Sequence, residues 1–318
     1  MPRKKRQPKP VDPLSSSAFE QAWSSLRSPA LPPPTVSGRW LVVATGIAIA
    51  AAALCAWATL CLLFWQGSWQ LLYHPVSAVS RTPASVGLAF EPVAFAATEA
   101  GAPRLMGWWI PAGQDAGYSR YTVLYLHGQN GNLGNAVNAL AALHSAGVDV
   151  FAFDYRGYGQ SLFEHPSEAS WREDTEWALQ YLTATRHLAA GAIVVDGSEL
   201  GADLAVEVAA QHPELAGVVI ESPLEAPADA IFRDPRARMV PAHLLVRNRF
   251  DLNASTQALR IPSLWLLPAS KDEQSGVAEE AEAFRMVTAR KTQVWLTPSS
   301  DRNKDLTNSL SRWLKSLS

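Results

Sequence analysis

Charged residues disappear between Trp40 and Trp65, where the chain reads WLVVATGIAIAAAALCAWATLCLLFW. As a helix rising about 1.5 Å per residue, this stretch is roughly 39 Å long. That is enough to cross a hydrocarbon core of ~30 Å with some tilt. Trp40 at one end and Trp65 and Trp69 at the other stand where amphipathic rings prefer the headgroup layer. A buried soluble helix of this length would carry a polar position, and a secretory signal has a shorter apolar run nearer the N-terminus. The pattern therefore predicts a retained membrane span over residues 40–65.

Beyond the span the pattern changes to short apolar runs separated by longer mixed ones. Leu105–Ile110, Tyr121–Leu126, Val148–Phe153, Ala192–Asp196, Gly217–Ile220, Ser263–Leu267 and Gln293–Thr297 read as strands. Most are continuous rather than alternating, as strands covered on both faces should be. Helices are predicted near 132–145, 168–187, 199–212, 276–290 and 305–317. Ser170 and Glu173 have capping-box spacing in the second, and Gly191 follows its end. In the last, Leu306, Leu310, Trp313, Leu314 and Leu317 form one apolar face. Strand and helix in alternation predict an α/β fold, a mostly parallel sheet with helices on both faces. Residues 223–250, with Pro223, Pro227, Pro235 and Pro241, break the rhythm and form a candidate cap or lid. The expected organisation is a basic, Pro/Ser-rich disordered tail (1–39), a transmembrane helix (40–65) and one α/β domain (66–318).

Composition changes this picture little. A net charge of −2 over 318 residues gives no bulk attraction to nucleic acid. Both cysteines, Cys55 and Cys61, lie inside the apolar segment, so none remains for a disulfide in the domain. The distribution of charge says more. Arg3, Lys4, Lys5, Arg6, Lys9, Arg27 and Arg39 precede the span, and the first cation after it is Arg81. Positive-inside bias then places the tail in the cytoplasm and residues 66–318 outside it, in a single-pass cell-membrane protein. The 3–9 cluster is read as a topology signal rather than as a nucleic-acid or lipid site. Gly46, Ala50 and Ala53 give the span a small-residue spacing of the kind that lets helices approach closely.

Open parallel sheets bind ligands beyond the carboxyl ends of their strands, so the turns there carry the chemistry. One turn reads His127-Gly128-Gln129-Asn130-Gly131-Asn132; its glycine spacing fits neither a dinucleotide fingerprint nor a P-loop. The next is Asp154-Tyr155-Arg156-Gly157-Tyr158-Gly159-Gln160-Ser161. Further stretches are Tyr73-His74-Pro75, Leu105-Met106-Gly107-Trp108-Trp109-Ile110-Pro111-Ala112 and Glu221-Ser222-Pro223. Taken together and in order, these resemble the α/β-hydrolase family in its membrane-anchored serine-hydrolase branch.

That resemblance implies a G-x-S-x-G elbow, where small residues flank the nucleophile because the turn is too tight for side chains. Here Gly197-Ser198-Glu199-Leu200-Gly201 puts Glu199 at the centre; Ser198 would have Asp196 and Leu200 where small residues belong. The family acid falls on Asp272. The family histidine position falls on Arg302, or on Asn303 counted from Leu306, and no histidine follows His243. Neither Arg nor Asn serves as a general base at neutral pH. The resemblance implies oxyanion donors at Gln129 and Leu200, with His127 and Gly128 forming the motif turn. Glu199 is expected to plug that oxyanion hole with its own carboxylate, and Arg302 to bridge Glu199 and Asp272. The expectation is a degenerate member without metal, cofactor or nucleic-acid partner. It would bind a small acyl-type ligand or a protein partner through the former cleft. The alternative is an active hydrolase of esters, thioesters or peptides that uses Ser198 in a modified site.

Overall fold

A computed structural model describes residues 16–25, 36–113, 117–118, 120–224, 226–247, 249–268, 283–296 and 302–317. Within the tail expected to be disordered, Ser16–Ser25 forms a helix (α1). The apolar segment is one continuous helix, Gly38–Gly67 (α2), long and apolar enough to be a candidate membrane span. The chain divides after Ala56 into two compact units. The last third of α2 therefore groups with the α/β unit. The reason is packing: Phe64 is buried in that unit's core, with Leu60 and Cys61 partly buried against it.

The α/β unit continues through β1 (His74–Pro75), β2 (Glu91–Ala97), β3 (Pro103–Ile110), β4 (Thr122–Leu126) and β5 (Asn130–Gly131). Then come α3 (Leu133–Ser145), β6 (Asp149–Asp154), α4 (Glu168–Gln180), β7 (Ile193–Ser198), α5 (Leu200–Gln211) and β8 (Gly217–Glu221). The chain proceeds through α6 (Pro227–Phe232), α7 (Ala242–Leu245), α8 (Leu252–Ala258), β9 (Ser263–Pro268), β10 (Lys291–Leu296) and α9 (Arg302–Leu317). The large sheet has the order β10-β9-β8-β7-β4-β6-β3-β2. From β6 to β10 all neighbours are parallel; β3 runs antiparallel to both β6 and β2. A separate two-residue ladder joins β1 to β5, placing the chain after the helix beside the His127 turn.

The continuous apolar strands are buried on both faces, as their composition requires. Leu124, Phe151, Val195 and Ile220 point to one core with Trp171 of α4 and Leu204 of α5. Val123, Val150, Val194 and Val219 point to the other with Val137 of α3 and Leu310 of α9. Four local expectations change. Strand β2 was not foreseen, because EPVAFAA buries only Val93 and Phe95 and its alanines are poor strand formers. The cap of α4 is Ser167 with Ser170, not Ser170 with Glu173, because Glu173 binds Arg156 instead. Helix α9 starts at Arg302 rather than 305, so Arg302 and Asn303 are helical. Residues 227–245 hold two short helices around a 3-10 turn, Pro235–Met239, rather than irregular chain. Of the helix expected over 276–290, residues 276–282 lie outside the described residues and 283–286 are helical.

Candidate active site

The strand–helix turn between β7 and α5 is tight because three backbones converge on it. A Cβ at Gly197 would run into the carbonyl oxygen of Gly201, and one at Gly201 into those of Leu126 and His127. Glycine at both positions lets α5 start directly above the end of β4. Ser198 is the last residue of β7, in register with Glu221 of β8. Glu199 follows at φ 54°, ψ −123°, a conformation that strains any side-chain-bearing residue. Its N–H donates to the carbonyl of Glu221 at 2.9 Å. The structure thus places Glu199, not Ser198, at the apex.

The Glu199 carboxylate lies over the His127-Gly128 turn: a Cβ on Gly128 would stand 2.7 Å from its Oε2. Asn130 Nδ2 donates to that oxygen at 3.5 Å, a long contact. The N–H of Leu200 does not donate to the Glu199 carboxylate, which corrects the expected self-plugging. It donates instead to Gln129 Oε1 at 3.3 Å. Gln129 is held for this by its own backbone carbonyl, which accepts from His74 N at 3.0 Å and from Tyr158 Oη at 2.9 Å. An amide oxygen therefore sits where α5 presents its first N–H group.

The turn is also fixed from below. Asn132 caps α3 in a reciprocal box with Asn135, and its Nδ2 reaches the carbonyls of Val76 and Ala78 at 2.8 and 2.9 Å. His127 Nδ1 donates to Gly128 O at 2.7 Å, and its Nε2 lies 3.5 Å from Asp154 Oδ1. Burial lowers the His127 pKa to about 4 and raises that of Asp154 to about 7. The pair is therefore not an ion pair at neutral pH. His127 is a packed, uncharged turn residue among Tyr155, Tyr158 and Trp171.

A buried acidic set that sequence reading missed lies beside the apex. Alternation along the strands sends Tyr125, Asp196, Ser198 and Glu221 to one face, with Asp196 opposite Tyr125 in the register. Asp196 and Glu221 are almost fully buried. Among the described residues, neither Asp196 carboxylate oxygen has a hydrogen-bond partner, nor does Oε1 of Glu221. Burial raises the pKa of Asp196, with the Glu221 charge adding to it. Burial also raises Glu221 to about 7, against a downward pull from Arg302. The Ser198 and Tyr125 hydroxyls share a hydrogen bond, and burial keeps the Tyr125 phenol protonated. Arg302 NH2 stands 3.7 Å from Glu221 Oε2 with half of its side chain exposed. The expected bridge from Arg302 to Glu199 is not formed: the described partner is Glu221. Asp272 lies outside the described residues. The signal in the sequence was Asp196 and Glu221 at the carboxyl ends of otherwise apolar strands.

A mostly parallel sheet covered on both faces, with a strained strand–helix turn above a histidine-glycine turn, defines an α/β-hydrolase fold. The model of the family described as serine aminopeptidase, S33, matches residues 117–260. An uncharacterized protein of Mycobacterium tuberculosis is 32% identical over 173 residues, 53% of this chain and 58% of that protein. Protein bem46 of Schizosaccharomyces pombe is 33% identical over 115 residues, 36% of this chain and 38% of that protein. The α/β hydrolase domain-containing protein 17C of Mus musculus is 33% identical over 119 residues, 37% of each chain. The match thus spans less than two thirds of each of these relatives. Among solved structures, esterase Pf2001 of Pyrococcus furiosus superposes with a TM-score of 0.57 at 20% identity, covering 76% of this chain and 98% of that one. The chain has the α/β-hydrolase fold, and its similarity to that family's sequences is carried by residues 117–260.

Proposed function

We propose that this is a membrane-anchored α/β-hydrolase-fold protein that does not perform serine-hydrolase chemistry. It binds a small acyl-type ligand or a protein partner at the elbow end of its sheet. Glu199 at the apex of the elbow carries this reading. A carboxylate there offers no hydroxyl to acylate, and an ester formed on it would need an activated water for release. Three further features support the reading. No histidine follows His243. The histidine position holds Arg302, which faces Glu221, and a guanidinium has no acceptor atom with which to take a proton from a nucleophile. The Leu200 N–H is engaged by Gln129, so a substrate oxyanion would first have to displace an amide oxygen. Anchoring is supported by α2, and the orientation by the cations that precede it.

The test uses the full chain in detergent with activated esters of several acyl lengths, fluorophosphonate labelling and mass mapping, beside Glu199→Ala and Ser198→Ala. The expected result is no turnover above background, no labelled serine and no ester on Glu199. Turnover or labelling abolished by Ser198→Ala would overturn the proposal in favour of an active hydrolase of esters, thioesters or peptides. Protease digestion of intact cells checks the orientation: residues 66–318 should be cut while the tail survives.

A further inference from the structure

An open groove of about 470 Å³ lies between the end of α2, the start of α4 and the end of α7. That size is within the roughly 300–1,000 Å³ of small-molecule sites. Its apolar walls are Trp65, Trp69 and Leu245. Trp69 is steadied by stacking on His165, ring centroids 4.8 Å apart. Every lining residue falls within the α/β unit, and none comes from the elbow. The charge is one-sided. No acidic residue lines the groove, and Arg247 is its one permanent cation. The Arg247 guanidinium lies 5.9 Å from the Trp65 ring centroid, and no carboxylate among the described residues pairs with it. Other arginines nearby are engaged: Arg233 and Arg236 pair with Asp229 and Asp234, and Arg249 donates to the carbonyl of His243 at 2.6 Å. Ser167, the N-cap of α4, also lines the groove, so the positive end of that helix adds charge of the same sign. Glu168, the acid next to it, is taken up by Arg172 at 3.1 Å and by the N–H of Arg249 at 2.8 Å. Two large apolar side chains face outward beside the groove. Leu244, next to Leu245, is 83% exposed; Phe163, whose ring stands 6.1 Å from that of His165, is 80% exposed.

We propose that this groove binds a free monocarboxylate with a short apolar chain, the carboxylate on Arg247 and the chain against Trp65, Trp69 and Leu245. Charge complementarity selects this class. A guanidinium offers a planar fork of donors that matches a carboxylate. A bare inorganic anion would satisfy Arg247 but gain nothing from the indole and leucine walls. A neutral alcohol would use the walls and leave the guanidinium without a counter-charge. An alkylammonium would bring a second positive charge to Arg247 and to the helix end. Only a molecule with one anionic end and an apolar body uses both halves of the groove. A longer chain would run on to Leu244 and Phe163, the outward-facing side chains beside it. Binding here does not depend on what the elbow does.

The test uses the full chain in phosphatidylcholine nanodiscs and octanoate carrying a diazirine at the end of its chain, with mass mapping of the crosslinks. Crosslinks should fall on residues 65–69 and 244–247, saturate, and be displaced by unlabelled octanoate at far lower concentration than by octylamine or 1-octanol. Arg247→Gln should raise the octanoate needed for displacement about tenfold or more, as the loss of a charge-assisted hydrogen bond does. Arg312→Gln, on α9, should leave it unchanged. Arg247→Lys keeps the charge and should recover part of the loss, which separates charge from folding; no recovery would overturn the ion pair. Crosslinks that never saturate, or that map along residues 40–56, would mean partition into the bilayer only and would overturn the site. Crosslinks confined to residues 129–131 or 199–201 would assign the acyl ligand to the elbow and overturn the groove. Displacement by octylamine or 1-octanol as readily as by octanoate would overturn the selection of an anion.

Discussion

Glu199 keeps a backbone geometry that costs a side-chain-bearing residue about 1–3 kcal/mol, and its one described side-chain hydrogen bond is the 3.5 Å contact with Asn130. Glu199→Gly should therefore raise the unfolding free energy by about 1 kcal/mol, part of the released strain being offset by the greater freedom of glycine in the unfolded chain. Denaturant titration of the full chain in detergent measures this; equal or lower stability would mean that the carboxylate contributes more than its contacts indicate. Gly201→Val works in the opposite direction. Its side chain would meet the carbonyls of Leu126 and His127, and a loss of more than about 2 kcal/mol is expected in the same titration. The apex was legible in the sequence because sterics admit only one register of Gly197-Ser198-Glu199-Leu200-Gly201. The partners of Glu199 were not. Whether Leu200 N–H meets Glu199 or Gln129 depends on rotamers, and those depend on backbone anchors such as His74 N to Gln129 O.

At the scale of elements, the loop after β6 is tied to α4 by one buried arginine. Arg156 Nε donates to Asp174 Oδ1 at 2.6 Å and its N–H to Asp174 Oδ2 at 2.8 Å, while Glu164 and Glu173 take its other nitrogens. Its guanidinium also lies 4.9 Å from the Trp177 ring centroid. Arg156→Met should cost about 3–5 kcal/mol, because Asp174 is left as a buried carboxylate without its cation. Arg156→Met with Asp174→Leu should recover much of that loss. Thermal unfolding of both variants decides it, and equal losses would show that the packing of Arg156, not its charge, matters. The parallel strands were legible because burial on both faces forces continuous apolar runs. Strand β2 was not, since an edge strand with one buried side needs only Val93 and Phe95. The start of α9 was misread because Arg302 and Asn303 resemble turn residues in sequence, whereas the helix runs through them, with Thr307 Oγ1 donating to the carbonyls of Asn303 and of Ala142 in α3.

For the whole molecule, the buried acids set the pH dependence of stability, and no pattern of hydrophobic positions could have announced it. Asp196 and Glu221 looked like ordinary strand-end carboxylates until the register put them on one face under α9, beside Tyr125 and Arg302. Glu221 titrates near 7 in the fold against 4.5 in its ordinary state, so the folded chain holds a proton that the unfolded chain releases. Its contribution is full below the lower value and is lost as pH rises through the upper one. Asp154, raised to about 7 chiefly by burial, acts in the same direction. His127, lowered from 6.5 to about 4, acts in the opposite direction, but only below about pH 6.5. Above that value His127 no longer opposes the carboxyl groups. His212 acts with them, because burial lowers its pKa less than its Glu214 and Glu176 partners raise it. The unfolding free energy of the full chain should therefore fall between pH 6.5 and 8. The Glu221 share of that fall is just under about 1 kcal/mol, out of roughly 3 kcal/mol over its whole range. Glu221→Gln keeps the shape and removes the titration, so it should be more stable than the parent at pH 8 and show a shallower decline. Thermal unfolding in detergent across that range measures both slopes. Parallel slopes for parent and variant would mean that Arg302 holds Glu221 ionised in the fold, and the buried pair would then be charged rather than protonated at neutral pH.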